Sequence, residues 1–226
     1  MAQVATGTFM ISPIDQEYKL TKLIKQGKAT MNADFTQLAG WTDQTYGVTT
    51  MNIIYDKIDN NIRPRLNIIF EKSRDQELFM NKFGFDPLKQ IEIAFQFERN
   101  SVNHKYDTHD ILIIFSAFEP VAKIEAYWSV PKDKIQSLQL ELNMKDLWQI
   151  HSNTFDAPTF FFNTVEQVEQ YSKNGTKEIL SKKCFELAKK YDEFDYFKEN
   201  EFSIQLESKE NLENYYKGSW FNYDRR

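Results

Sequence analysis

Two imidazoles and two carboxylates lie within the seven residues His104-Lys105-Tyr106-Asp107-Thr108-His109-Asp110. His104, Asp107, His109 and Asp110 are the donor types that hold a divalent ion, and Glu98 upstream adds a further carboxylate. An ion held there would activate bound water, making the chain a metal-dependent hydrolase or nuclease. The spacing matches no metal motif, however. Asn, His and Asp are also the residues that a polar loop uses for its turns. The loop is the plainer reading, so no metal and no cofactor is expected.

The third histidine, His151, lies near Trp148 and Asp156 and reads as a structural hydrogen bonder rather than a base. The one cysteine, Cys184, shares a helical stripe with Leu180, Leu187, Ala188 and Tyr191. That places it in a core as a small apolar residue, not at a surface as a thiolate.

Glycine placement excludes several enzyme classes. The seven glycines stand at 7, 27, 40, 47, 84, 175 and 218, so none falls between 85 and 174. No G-x-G-x-x-G, G-x-x-x-x-G-K-[ST] or G-x-S-x-G can be written. Those motifs need glycine where backbone meets phosphate or turns sharply under a nucleophile. Rossmann dehydrogenases, P-loop NTPases and α/β-hydrolases are thereby disfavoured.

Charge supplies the positive signal. The formal charge is −5, yet the stretch from Tyr191 to Glu213 alone carries eight acidic and two basic residues. The acidity is local and interleaved with Tyr191, Phe194, Tyr196, Phe197 and Phe202. Carboxylates around aromatic anchors suit a basic protein partner: the field speeds encounter and the rings supply contact area. Asp192, Glu193, Asp195, Tyr196 and Glu199 are the candidate contact residues. The alternative is a solvated face whose rings point inward. Nucleic acid is not expected as a partner, because phosphates need clustered Lys and Arg, and the basic clusters here are small.

The elements that must position these groups read as a mixed fold. Val48–Ile58 and Leu66–Phe70 are β-rich and flank Asp59-Asn60-Asn61, the signature of a hairpin, with Pro64 limiting the second strand. Ile91, Ile93, Phe95 and Phe97 alternate with polar residues, which predicts a strand over 90–98 with these four facing the core. Residues 110–118 and 121–130 are read as its antiparallel neighbours. Residues 132–150 suit helix slightly better than strand. Thr164 with Gln167 is a capping-box pair, Phe202 to Leu206 alternates, and Ser208 opens a last helix.

The expectation is α+β: a central antiparallel sheet of about five to seven strands with helices packed on it, mostly from the C-terminal third. At 226 residues, 41% hydrophobic, the chain suits one domain over 1–226, with a sub-boundary considered near 152–158. No internal repeat is evident. Residues 1–12 hold no Lys or Arg and no signal-length apolar run, and the longest apolar run is Ile111–Phe115. A reduced, cytoplasmic protein without membrane contact follows. The functional expectation is a non-enzymatic interaction module (inhibitor, immunity factor or adaptor) for a basic partner. The rivals are the hydrolase of the 104–110 loop and a carrier of small hydrophobic ligands in an aromatic cavity.

Overall fold

Asp59, Asn60 and Asn61 all adopt left-handed φ values of 51°, 58° and 67°, a conformation that short polar side chains tolerate best. They close the expected hairpin. The computed structural model describes residues 11–100, 105–151 and 158–225. About half of the chain is helical and a fifth is strand, so the mixed α+β class holds.

In chain order the elements are α1 (Gln16–Lys25), α2 (Thr36–Tyr46), β1 (Thr50–Ile58), β2 (Arg63–Phe70), α3 (Ser73–Glu77), β3 (Met80–Asn81), β4 (Gly84–Phe85), α4 (Pro87–Asn100) and β5 (Leu112–Ala117). There follow α5 (Phe118–Trp128), α6 (Lys132–Leu142), β6 (Leu147–His151), β7 (Thr159–Phe162), α7 (Val165–Lys173), α8 (Thr176–Ala188), β8 (Gln205–Ser208), α9 (Lys209–Asn214) and α10 (Trp220–Tyr223). Two compact units divide the chain, Met1–Val121 and Ala122–Arg226. Of the stretch considered as a sub-boundary, residues 152–157 lie outside those described.

The single large sheet does not form. Each unit builds a sheet of three strands, and β3–β4 is a separate two-stranded ribbon. Neither larger sheet is purely antiparallel. In the first unit β1 pairs antiparallel with β2, and β2 pairs parallel with β5 after a helical crossover. In the second, β6 pairs antiparallel with β7, and β7 pairs parallel with β8 after another crossover.

The two sheets also share details. Both hairpins shift register one step inside their first strand, between Thr50 and Asn52 and between Leu147 and Gln149. Glu71 N–H donates to the Thr49 carbonyl (2.8 Å), as Asn163 N–H does to that of Asp146 (3.2 Å). Glu119 N–H then donates to the Glu71 carbonyl (3.0 Å), as Glu210 N–H does to that of Asn163 (3.3 Å). The chain therefore uses one wiring twice, a repeat of topology that the residues themselves do not display.

Two segments expected as strands are helices. Residues 90–98 belong to α4, where Ile93 and Phe97 face the core while Ile91 and Phe95 face out. Asp86 starts it, accepting a hydrogen bond from the Leu88 N–H (3.0 Å), and Pro87 occupies the first helical position. Residues 121–130 lie mostly in α5, with Val121, Ala122 and Ala126 buried and Pro120 harmless in the first turn. Of residues 132–150, 132–142 are helical, as the pattern favoured, whereas 147–150 belong to β6. The Thr164–Gln167 capping box is complete, and Ser208 Oγ accepts from Asn211 N–H (2.9 Å).

In the first unit, Ile53, Leu66, Ile68, Phe70, Ile113 and Phe115 turn one sheet face onto α2 and α4. The opposite face is mixed, with Asn52, Asn67 and Ser116 buried beside Ile69 and Ile114. Accordingly α1 turns Tyr18 and Thr21 inward, and Leu20 and Leu23 are over 40% exposed. In the second unit Phe160 and Phe162 pack with Leu138, Leu180 and Cys184, while Phe161 meets Leu212 and Tyr223 behind the sheet.

Candidate functional site

Asp192 decides the fate of the acidic segment. Its carboxylate accepts from the N–H groups of Tyr196 (3.0 Å) and Phe197 (2.7 Å) and from Lys189 Nζ (2.8 Å). Only 3% of the side chain is exposed. Asp195, at φ 59°, takes Lys189 (2.6 Å) and Lys198 (2.7 Å), and those bonds hold its carboxyl down at about 2. Glu199 lies 3.8 Å from Lys182. Tyr196 and Phe197 are each 4% exposed, and Phe197 packs on Tyr127 (4.8 Å) and Phe202 (5.4 Å). Of the five residues expected at an interface, Glu193, Asp195 and Glu199 stay at the surface, while Tyr196 and the Asp192 carboxylate are interior. The segment is a fold-back turn organised by its own aspartate. Its rings point inward because Phe185 and Ala188 of α8 offer them an apolar wall.

The 104–110 loop is likewise engaged with its own unit. His104 lies outside the described residues. Asp107 Oδ1 accepts from the His109 N–H (3.1 Å), and its Oδ2 lies 3.4 Å from Lys57. The Asp110 carboxylate lies 3.4 Å from Arg63. Tyr55 Oη meets both the N–H and the carbonyl of Asp107 at 3.1 Å. Glu98 is exposed on α4. Among the described residues no three His, Cys, Asp or Glu side chains converge as metal ligands.

His151 Nε2 lies 3.0 Å from Asp224, and its ring stacks on Trp220 at 4.2 Å. The stacking partner is Trp220 rather than the nearby Trp148, so the histidine anchors α10. Burial pushes the Cys184 thiol up to about 12, so the thiolate is strongly disfavoured. The apolar pocket beside it, lined by Tyr127, Ile135, Leu138, Ile150 and Leu187, has a volume of about 20 Å³. That is room for one water, not for a lipid or drug-sized ligand.

A larger groove of about 470 Å³, with Glu17, Asp56, Arg65 and Asn67 among Ile11, Ile54 and Ile114, runs beside α1. Its groups serve one another. Arg65 forks onto Asp56 and reaches Glu17 (2.7 Å), Asn67 donates to Glu17 (2.7 Å), and Ser116 Oγ donates to Asn67 (3.0 Å). The network ties α1 to the face of the first sheet turned away from α2 and α4.

What remains is the outer side of α4. Leu88, Ile91 and Phe95 recur at i, i+3 and i+7 and are 76%, 66% and 59% exposed. Phe83, in the turn between β3 and β4, is 82% exposed. Lys82 stands over the Phe83 ring at 4.7 Å and Arg99 over the Phe95 ring at 5.7 Å. Tyr46 Oη donates to Glu92 at 2.6 Å. This stripe was missed in the sequence, although Asp86-Pro87 and the 3–4 spacing of Leu88, Ile91 and Phe95 were there to find it. The chain matches no protein-family model, no curated protein and no solved structure.

Proposed function

We propose that the chain is a non-enzymatic protein-interaction module whose contact surface is the outer face of α4 with the adjoining β3–β4 turn. The exposed stripe of Phe83, Leu88, Ile91 and Phe95 carries this reading. Leu88, Ile91 and Phe95 alone present apolar area on the order of 350 Å², within the range of about 300–600 Å² that marks the largest and often functional patch of a monomer. A helix that already buries Ile93 and Phe97 has no need of a second apolar stripe for folding.

The acidic segment no longer supports a basic partner, since its anchor ring is buried and Asp192, Asp195 and Glu199 face the chain's own lysines. The carrier reading wants a cavity far above 20 Å³, and the hydrolase reading wants a convergent ligand set.

The test is Ile91→benzoylphenylalanine in the native cell, with Ile179→benzoylphenylalanine on α8, also exposed, as control. Irradiation is expected to give one discrete protein adduct from position 91, absent when Phe95→Ser is added. Equal yields from both positions, or none from position 91, would refute the reading.

A further inference from the structure

We propose that the groove beside α1 binds an aliphatic ligand through a primary ammonium group. The site is separate from the outer face of α4 and lies on the other side of the first sheet. Its volume of about 470 Å³ falls within the range of about 300–1,000 Å³ that small-molecule sites occupy. The floor is sheet, not loop. Ile54, Asn67 and Ile114 form one row across β1, β2 and β5, and Asp56 pairs with Arg65 two residues along the same face. Asp15 and the first turn of α1 stand beside them as a wall. Groups carried on strands and a helix start are held more precisely than groups on a loop.

The carboxylates in this groove are oriented by the protein itself. Glu17 accepts from Arg65 and from Asn67 (2.7 Å each), Asp56 accepts both arms of the Arg65 fork, and Asp15 accepts from the Ser12 N–H (2.7 Å). Asn67, which positions Glu17, is 1% exposed and is held in turn by Ser116. These bonds leave acceptor capacity unused. An ionised carboxylate offers about four lone-pair sites, and none of the three takes more than two of the bonds named. Charge is left over as well. Three carboxylates face one guanidinium, and among the described residues no other charged side chain lines the groove.

That excess decides the sign of the ligand. A phosphate or carboxylate would meet net negative charge, whereas an ammonium group brings three N–H donors to acceptors already in place. Ile11, Ile54 and Ile114 line the same groove and offer methylene groups an apolar surface. Among the described residues no aromatic ring lines it, so a quaternary ammonium finds neither the ring faces that hold it nor a use for the acceptors. A divalent ion fits poorly too, because the carboxylates share the groove without converging as a ligand set. A short methylene chain ending in a primary ammonium satisfies every one of these conditions. A free amine and a lysine side chain of another protein present that same group.

The probe is the diamine cadaverine, titrated into the full chain by isothermal calorimetry at low salt, with choline and inorganic phosphate as comparison ligands. Cadaverine is expected to bind saturably and at least tenfold tighter than choline, about 1.4 kcal/mol, and phosphate is expected not to bind. Asp15→Asn keeps an acceptor for the Ser12 N–H while removing a charge, and Gln16→Lys sets a competing ammonium at the mouth of the groove. Each should weaken cadaverine by about tenfold or more, with unchanged circular dichroism. Should Asp15→Asn fail to fold, Gln16→Lys, at an exposed position, decides alone. An acetylated peptide with one central lysine, titrated in the same way, sorts the two sources. Tighter binding than cadaverine gives the groove to a protein's lysine, and weaker binding gives it to a free amine. No saturable binding of either amine at millimolar concentration, equal binding of choline, or indifference to Gln16→Lys overturns the inference. So does calcium binding that Asp15→Asn abolishes and cadaverine fails to displace, which makes the groove a metal site.

Discussion

Phe95 and Phe97 sit two residues apart and should behave as different kinds of residue. In a strand they would share a face and truncating either would cost the same. In α4, Phe97 is 2% exposed and packs near Phe35 (6.0 Å), Tyr55 (6.2 Å) and Tyr106 (5.8 Å). Phe97→Ala should therefore cost roughly 3–5 kcal/mol, as buried Phe truncations do. Phe95 is 59% exposed. The buried remainder of a ring of roughly 200 Å² is about 80 Å², so Phe95→Ala should cost at most about 2 kcal/mol. The readout is native-state hydrogen exchange of the β2 amides, which need opening of the first unit. Since about 1.4 kcal/mol is one decade, Phe97→Ala should speed that exchange by roughly two to three and a half decades, and Phe95→Ala by no more than about one and a half. Equal acceleration by the two variants would mean that the ring at 95 is buried. The exposed stripe, and everything built on it, would then be wrong.

Three further outcomes follow from the geometry. Asp195 has its carboxyl held below the usual value by Lys189 and Lys198, so its contribution to stability is present above the unfolded value near 4 and fades as pH falls towards about 2. Thermal melts of wild type and Asp195→Asn should differ above pH 4 and converge near pH 2; a gap that widens on acidification contradicts the pairing. Asp192→Ala strips the acceptor from two amides and Lys189 and should cost about 2–4 kcal/mol, exposing 193–201 to limited proteolysis. An unchanged cleavage pattern would show that the aspartate does not organise the turn. Cys184 should react with iodoacetamide at pH 8 at least roughly a thousandfold more slowly in the folded chain than in denaturant, because burial holds its thiol near 12. Comparable rates would place it at the surface.

Turn and capping signals are legible in the sequence; side-chain periodicity and long-range pairing are less so. The hairpin turn at Asp59-Asn60-Asn61 and the Thr164–Gln167 box are legible because residues a few positions apart determine them. The false strand at 90–98 has an instructive cause. One helix carries two apolar stripes, Ile93 and Phe97 inward and Leu88, Ile91 and Phe95 outward, and their superposition mimics a period of two. The feature that spoiled the secondary-structure reading is the candidate contact surface. The parallel pairings of β2 with β5 and β7 with β8 were beyond reach, because each joins strands separated by about forty residues of crossover. At the acidic segment, composition counted carboxylates correctly. It held no information that Asp192 would turn inward to cap the Tyr196 and Phe197 amides.

The repeated wiring also governs how the chain leaves the ribosome. In each half the middle strand, Arg63–Phe70 or Thr159–Phe162, is synthesised together with its hairpin partner, but its other edge stays open until the third strand emerges. Those middle strands contain Ile68-Ile69-Phe70 and Phe160-Phe161-Phe162, all fully buried in the finished fold. Translation therefore passes through two intervals in which an apolar strand exposes unpaired backbone groups, a state prone to edge-to-edge association. The crossover helices are made during those same intervals. Premature stops between residues 71 and 111, or between 163 and 204, should give the least soluble fragments, whereas a stop just past α5 releases a first half with its sheet complete.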